Sequence, residues 1–438
     1  MHRREFTTTL TGAFAGIALP SLPMRGTRRF RLADINTARL NGDIKALSQF
    51  GANPEGGVSR VAYSDADRAG RAWAMNRMRA AGLEVTVDVA GNIFGRRAGT
   101  VPSLKPIVFG SHIDSVPGGG NFDGPVGSLA GIEIAHSFTE QNVRTRHPLE
   151  IVIWANEEGG LYGSRAVSGQ LTPAELKNRS SSGKTIEEGI AFIGGDPARL
   201  ADVRRSKGSI ACYFELHIEQ GGTLEREKLN IGIVEGIVGI RQWEVTVTGV
   251  QNHAGTTPMD QRHDALLAAA RFVEMVHRTV RAEPGRQVGT VGRMQAFPGA
   301  PNVVPGRVLC TLELRDLDAA RISRLFDAIS GEAKRIGDGT GTSFAFRSLH
   351  EDIPAPSDPK MREIISMVST ELGYTTRLMP SGAGHDAQAM AQIGPMGMIF
   401  IPSIGGISHS PKEYSTPEDI ARGARVLMGA VLQADRAS

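Results

Sequence analysis

Apolar and polar positions alternate along this chain in two rhythms, and the rhythm switches repeatedly. Leu40, Ile44 and Leu47 recur at helical spacing and predict a helix over residues 34–49. A second helix is expected from Ser64 to Ala81, with Ser64 and Asp65 as caps and Gly82 as its stop. Leu83 to Val89 alternates with a period of two, as a strand does, and Gly91 to Gly95 turns the chain into another. Pro106 to Phe109 is an unbroken apolar run, which reads as a buried parallel strand. A helix over Val126–Gln141 and a second buried strand, Leu149–Trp154, follow it. Tyr213–Ile218 reads as a third. Strands alternating with helices imply an α/β fold, a mostly parallel sheet flanked by helices.

From about residue 223 the texture changes. Ile231–Val238, Gln242–Val250, Val288–Ala296, Val308–Arg315 and Ser343–Leu349 are strand-like, while Asp260–Val280 and Asp318–Ile336 are helical. This order fits a compact β-α-β-β-α-β unit, an α+β, ferredoxin-like domain. The parent rhythm returns near Lys360, with a helix to Leu372, a strand over Pro395–Ile401 and a last helix from Glu418 to about Asp435. The smaller unit is therefore expected to be inserted in the larger. The boundaries expected are 34–222 and 336–438 for the parent domain and 223–335 for the insert. A chain of 438 residues is too long for one core, which agrees.

Charge and cysteine content narrow the picture. With 49 basic against 46 acidic residues the net charge is +3, no basis for a nucleic-acid partner. Cys212 and Cys310 lie in apolar stretches and read as buried, inert thiols, not as a disulfide framework or a cysteine zinc site. In the first 33 residues, Arg3-Arg4-Glu5-Phe6 precedes a modest apolar run, Thr7 to Leu19, and then Pro20. Twin arginines ahead of such a run resemble a bacterial twin-arginine export signal, so a periplasmic destination is expected, with the cytoplasm as the alternative. The run is too short and too rich in Thr and Gly to span a bilayer, and no membrane anchor is expected elsewhere.

The chemistry gathers at strand ends. Gly110-Ser-His112-Ile-Asp114-Ser and Asn121-Phe-Asp123-Gly follow the first buried strand, and ligands in open α/β sheets sit at the carboxyl ends of strands. Gly118, Gly119 and Gly120 let the backbone double back so that Asp123 can meet His112. Glu157-Glu158 follows the second strand, His217 ends the third, and His409 lies beyond the last. Histidine and carboxylate are the ligand types of zinc and similar cations. A two-ion site needs a bridging carboxylate between ions roughly 3.5–4 Å apart, a part that suits Asp123. His112 and His217 would complete one ion, Glu158 and His409 the other. Asp114 is placed to hold the His112 imidazole from behind. Adjacent glutamates at a strand end point apart, so one can ligate while the other faces a water whose pKa the cations lower. A lone histidine is more often a satisfied core or surface group, and a lone glutamate pair a solvated one; the joint pattern carries the argument.

Further motifs stand in the same order: Leu216-His217-Ile-Glu-Gln220-Gly221, Asn252-His253-Ala-Gly-Thr-Thr-Pro258, Pro301-Asn302-Val-Val-Pro305, Leu314-Arg315-Asp316, Ser381-Gly-Ala-Gly384-His385-Asp386 and Gly406-Ile-Ser-His409-Ser-Pro411. With the strand-end motifs they resemble the hydantoinase/carbamoylase branch of the dinuclear-metal amidohydrolases, kin to aminoacylases and metallo-carboxypeptidases. The likeness runs over nearly the whole chain from about residue 35. It implies two divalent ions per subunit, zinc or else manganese, nickel or cobalt, held by His112, Asp123, Glu158, His217 and His409. It implies Glu157 as general base and the inserted domain as a lid and dimerisation module. His253 and Asn302 would bind substrate and polarise the scissile carbonyl, and Arg315 would grip a substrate carboxylate. Gln220, Gly384 and His385 would line the pocket. The implied reaction is hydrolysis of the carbamoyl group of an N-carbamoyl-L-amino acid by a homodimer, with allantoate or another ureido acid as the alternative substrate. Peptidase or aminoacylase activity is disfavoured by Gln220 and His217-Ile-Glu, and a purely binding role by an intact Glu157. One departure concerns the pocket: only Gly159-Gly160-Leu161-Tyr162 separates Glu158 from Gly163, where carbamoylase-type members carry a longer stretch with an Arg-Phe pair.

Overall fold

The computed structural model describes residues 34–437; the expected export leader lies outside the described residues. Six strands come first: Glu84–Val87 (β1), Ile93–Arg97 (β2), Ile107–His112 (β3), Leu149–Trp154 (β4), Cys212–Ile218 (β5) and Ile231–Ile237 (β6). Seven follow: Gly239–Thr248 (β7), Asn252–His253 (β8), Val288–Thr290 (β9), Met294–Phe297 (β10), Val303–Val304 (β11), Arg307–Asp316 (β12) and Ser343–Asp352 (β13). The last three are Ala355–Pro356 (β14), Thr376–Ser381 (β15) and Met396–Ile401 (β16).

The larger sheet has nine strands in the order β1-β2-β4-β3-β5-β16-β6-β14, with β15 beside β6. Its centre, β4-β3-β5-β16, is parallel throughout. Every residue of these four strands is buried, as strands covered on both faces must be. Helices Pro125–Glu140 and Pro417–Ala437 cover one face. Val108, Val152, Tyr213, Met398 and Phe400 point the other way, into a core closed by Ala387 and Met390 of the short helix Asp386–Met390. Each large apolar side chain buried here is worth roughly 1.5–3 kcal/mol, which is what holds the four strand ends level with one another. Two expected helices appear at Thr37–Leu47 and at Asp65–Ala80, the latter capped by Ser64 accepting from the Asp67 N–H.

The smaller sheet is antiparallel, ordered β10-β12-β7-β13 with β9 also on β12. Helices Ala265–Ala282 and Ala319–Thr340 pack on it around Trp243, Phe272, Leu312 and Ile329. The β-α-β-β-α-β order is thus present, but its limits differ from those expected. Ile231–Ile237 pairs with β16, β15 and β14 in the larger sheet, so it does not open the insert at residue 223. Nor does the insert end at 335, because β13 runs the length of β7 as far as Asp352. Val288–Ala296 is two short strands, not one. The helix expected from Asp260 starts at Ala265, because the Asp264 carboxylate caps it by accepting from the Leu266 and Leu267 N–H groups. Cys212 and Cys310 are both buried and unbridged, and burial pushes their thiols up to about 12 and about 11. No helix among the described residues is long and apolar enough to cross a membrane.

Gly110 permits the closest contact inside the parallel block. Its φ is 151°, and a Cβ added there would stand 2.0 Å from the Val152 carbonyl oxygen on β4. Gly110→Ala should therefore part β3 from β4 and destabilise the protein by on the order of 2–4 kcal/mol. Urea denaturation checks this; an unchanged midpoint would exclude the close approach.

Candidate metal centre

The four central strands end at one edge of the sheet, and each delivers part of a single cluster. His112 ends β3 and lies in register with Trp154, so Glu157 and Glu158 emerge beside it just beyond β4. His217 lies in β5 opposite Phe400 of β16, and the loop after β16 brings His409 back over the edge. Asp123, on the loop before helix Pro125–Glu140, stands in the middle.

Asp123 divides its two oxygens. Oδ1 faces His217 Nε2 at 3.0 Å and His112 Nε2 at 3.6 Å; Oδ2 faces His409 Nε2 at 3.4 Å. His409 Nε2 is also 3.4 Å from Glu158 Oε2. Two donor groups result, His112–Asp123–His217 and Asp123–Glu158–His409, each with ligand atoms within 4.8 Å of one another and with Asp123 common to both. The Nε2 atoms of His112 and His217 are buried and make no hydrogen bond, despite the nearby carboxylate. A buried ring nitrogen without a partner is costly, and a cation is the partner that both the nitrogens and the carboxylates call for. The donors fit two divalent ions.

The other ring nitrogens are tied down. His217 Nδ1 is 2.9 Å from the Ile218 carbonyl, and His112 Nδ1 is 3.1 Å from the Asp114 carbonyl. The Asp114 side chain does something other than what was expected. Its oxygens accept from the Glu157 and Glu158 N–H groups at 3.3 and 3.2 Å, while its nearest approach to the His112 ring is a longer 3.6 Å. It therefore fixes the glutamate turn at least as much as the imidazole. Gln220 Nε2 donates to Asp123 Oδ2 at 2.6 Å, and Ser408 Oγ lies 2.8 Å from the same oxygen.

Glu157 is buried, joins neither donor group and turns Oε2 to within 3.6 Å of His112 Nε2. Burial raises its carboxyl pKa well above the usual range, and Asp386, Glu158 and Asp123 add to the rise against the opposing pull of His112. Burial alone would lower the His112 pKa, but Glu157, Asp114 and Asp123 outweigh it and hold the ring well above its ordinary value. Asp123 goes the other way: burial opposes ionisation, yet His217, His112 and His409 keep it well below the usual carboxylate range.

The remaining expected residues fall in three places. Arg315, on β12, donates through Nε to Glu313 and through Nη1 to the Gly382 carbonyl, both at 2.6 Å. It lines a cavity of about 470 Å³ with Gln220, Gly382, Ala383, Arg286 and Arg377. His385 does not line that pocket. It is 1% exposed, with Nε2 2.9 Å from Ser381 Oγ and its ring edge-to-face on His217 at 4.4 Å, so it packs behind that donor. Gly384, beside it, stays half-buried. His253 and Asn302 lie apart on the small β8–β11 ribbon, both exposed, and His253 Nδ1 accepts from the Gly255 and Thr256 N–H groups. Neither is among the side chains gathered round Asp123.

Sequence reasoning missed a buried acid layer beneath the cluster. Glu215 accepts from Ser111 Oγ, Tyr213 Oη and the Ala387 N–H, and Asp386 accepts from Ser164 Oγ at 2.5 Å. The signal was available: a glutamate inside an apolar strand, two residues before a histidine and so on the same face.

The peptidase family M20/M25/M40 model matches residues 108–433. The chain belongs to that family. It is 40% identical over 404 residues to an N-carbamoyl-L-amino acid amidohydrolase of Geobacillus stearothermophilus, covering 91% of this chain and 98% of the relative. It is 36% identical over 408 residues to a ureidoglycolate hydrolase of Arabidopsis thaliana, covering 90% and 85%. Among solved structures, a hydantoinase/carbamoylase family amidase from Burkholderia multivorans aligns with a TM-score of 0.85 at 39% identity, over 92% of this chain and 98% of that one.

Proton competition should be readable at the Asp123–Glu158–His409 group. Burial, then Asp123, pushes Glu158 up to about 7, and the facing Asp123 carboxylate lifts the half-exposed His409 to about 9. A cation must displace a proton from each ligand that carries one. Below these values the protonated forms dominate, so competition grows as pH falls. Affinity at the Glu158–His409 position should fall about tenfold per unit from pH 9 to 7, and more steeply below 7. Titration of chelator-stripped protein with Zn2+ across that range measures it; a flat profile would exclude His409 as a ligand.

Proposed function

We propose that this protein is a metal-dependent amidohydrolase that cleaves the carbamoyl group of N-carbamoyl-L-amino acids, releasing the amino acid, CO2 and ammonia. The observation that carries this reading is Asp123 shared between two donor groups, with Glu157 as a buried carboxylate outside both. Two divalent cations, of zinc, manganese, nickel or cobalt, would supply a water of lowered pKa and polarise the scissile carbonyl.

The chain's own groups do the rest. Glu157 takes a proton from the attacking water and hands it to the leaving nitrogen; its raised proton affinity suits a group that must hold a proton between the two events. Asp114 keeps Glu157 and Glu158 in their divergent orientations through their N–H groups. His385 presses on His217 and limits its rotation. Arg315 reads the substrate carboxylate, and Arg286 and Arg377 in the same cavity favour anionic substrates over neutral amides. Gln220 touches both the cavity and Asp123, and so relates carboxylate binding to the reacting centre. We assign His253 and Asn302 to the scissile carbonyl, reached by closure of their own lid or from the lid of a partner copy in a homodimer. A second reading, hydrolysis of a ureidoglycolate- or allantoate-type ureido acid, rests on the likeness to the ureidoglycolate hydrolase, and the short Gly159–Tyr162 turn after the base leaves the choice between the two open.

Glu157→Gln should lower turnover about 10²–10⁴-fold while metal content stays at the wild-type level. Ammonia release with parallel elemental analysis checks this; full turnover would remove Glu157 from the mechanism. Arg315→Lys keeps the charge and loses the fork. It should cost about 10–100-fold in kcat/KM on a panel of N-carbamoyl-amino and ureido acids, and little on matched neutral amides. Equal losses on both sets would make Arg315 structural, and no chelator-sensitive ammonia release from any panel member would reject the proposed function.

A further inference from the structure

Glu413 is a buried carboxylate with no part in the roles above. Its Oε1 accepts from the Phe122 N–H at 2.9 Å and the Asp123 N–H at 3.0 Å. Its Oε2 accepts from Ser408 Oγ at 2.8 Å and the His409 N–H at 3.2 Å. One oxygen thus holds the backbone of the bridging aspartate, and the other holds the backbone of the half-exposed histidine. The approach is close enough to dictate sequence: a Cβ on Gly120 would stand 2.3 Å from Glu413 Oε1. The neighbouring rings of Phe122 and Tyr414 meet edge-to-face at 5.5 Å and brace the same pair of loops.

We infer that Glu413 is a positioning residue that sets the spacing of the two cation positions by clamping the Asp123 loop to the His409 loop. The inference rests on the two-cation reading proposed above. It predicts an asymmetry between the positions. His112 and His217 belong to buried, ladder-paired strands and keep their places without Glu413. His409 has no strand behind it and holds a left-handed backbone, φ 54°, which non-glycine residues adopt infrequently. Freeing the His409 loop while the Asp123 N–H keeps its acceptor therefore loosens the Asp123–Glu158–His409 position and spares the other.

Glu413→Gln tests this. The amide keeps the shape but offers one acceptor oxygen, and turns its N–H donors on the N–H and O–H donors of the second loop. Calorimetric titration of chelator-stripped full-length protein with Co2+, with the visible Co2+ absorption followed in parallel, should show two steps in the wild type. In Glu413→Gln the tighter step should stay, and the weaker should fall about 10–100-fold. The absorption should drop to that of a single ion at matched concentrations. Glu413→Asp, whose carboxylate is one methylene too short to reach both loops, should lower the weaker step more than the tighter; it decides the matter if Glu413→Gln does not fold. An unchanged weaker step would overturn the clamp, and so would an equal fall in both steps accompanied by a lower melting temperature. A wild type that binds at most one Co2+ would instead sink the two-cation reading, and the clamp with it.

Discussion

Everything in this structure serves the need to hold one carboxylate, Asp123, between two sets of donors. Its Oδ1 looks toward His112 and His217, and its Oδ2 toward His409, with distances from 3.0 to 3.6 Å. A displacement of one ångström at any contributor would empty one side or crowd the other. The precision comes from four parallel strands buried on both faces, whose carboxyl ends cannot slip because a one-residue shift would turn every apolar side chain to the wrong layer. The polar donors do not stabilise the sheet; the sheet's apolar packing fixes the donors.

The cost of this arrangement is electrostatic. Asp114, Asp123, Glu157, Glu215 and Asp386 are all buried on one side of the sheet edge. Burial raises Glu157, Glu215 and Asp386, and neighbouring carboxylates add to the rise in Glu157 and Asp386, whereas His217 and Ser111 oppose it in Glu215. Asp123 goes the other way, because three imidazoles surround it. His385 shows the converse. Burial and then the neighbouring His217 drive its pKa well below the ordinary value, so it stays neutral and packs like an apolar ring. His385 thus differs from His112 and His217, whose carboxylate neighbours hold them up.

Much of this was legible before any coordinates, for identifiable reasons. The parallel core reads as unbroken apolar runs, and the donor residues that gather round Asp123 lie within five residues of strand ends, apart from Asp123 itself and His409, which follow short glycine-rich loops. What escaped depended on pairing across long separations. Ile231–Ile237 looks like the first strand of the insert, yet its partners are residues 355–356, 376–381 and 399–400, and no local pattern announces them. His385 sits in a glycine-rich motif that suggests an open pocket wall; its burial follows from Ser381 and His217, which the motif does not reveal. Glu413 lies in a Ser/Pro/Lys loop where an exposed charge is the ordinary expectation, and only the return of the Gly120–Asp123 loop beneath it makes it interior.

Arg315 ties the insert to the parent domain. Its hydrogen bonds to Glu313 and the Gly382 carbonyl use two of the five N–H donors of the guanidinium. Three remain, enough for a carboxylate fork without breaking either bond. The contact with Gly382 joins the β12 strand of the insert to the loop that leads into His385 and thence to His217. Under the proposed function, a substrate carboxylate drawn to Arg315 would be held by a group already anchored to both domains. The two donor groups around Asp123 come from the parent domain, while Arg315 comes from β12 of the insert.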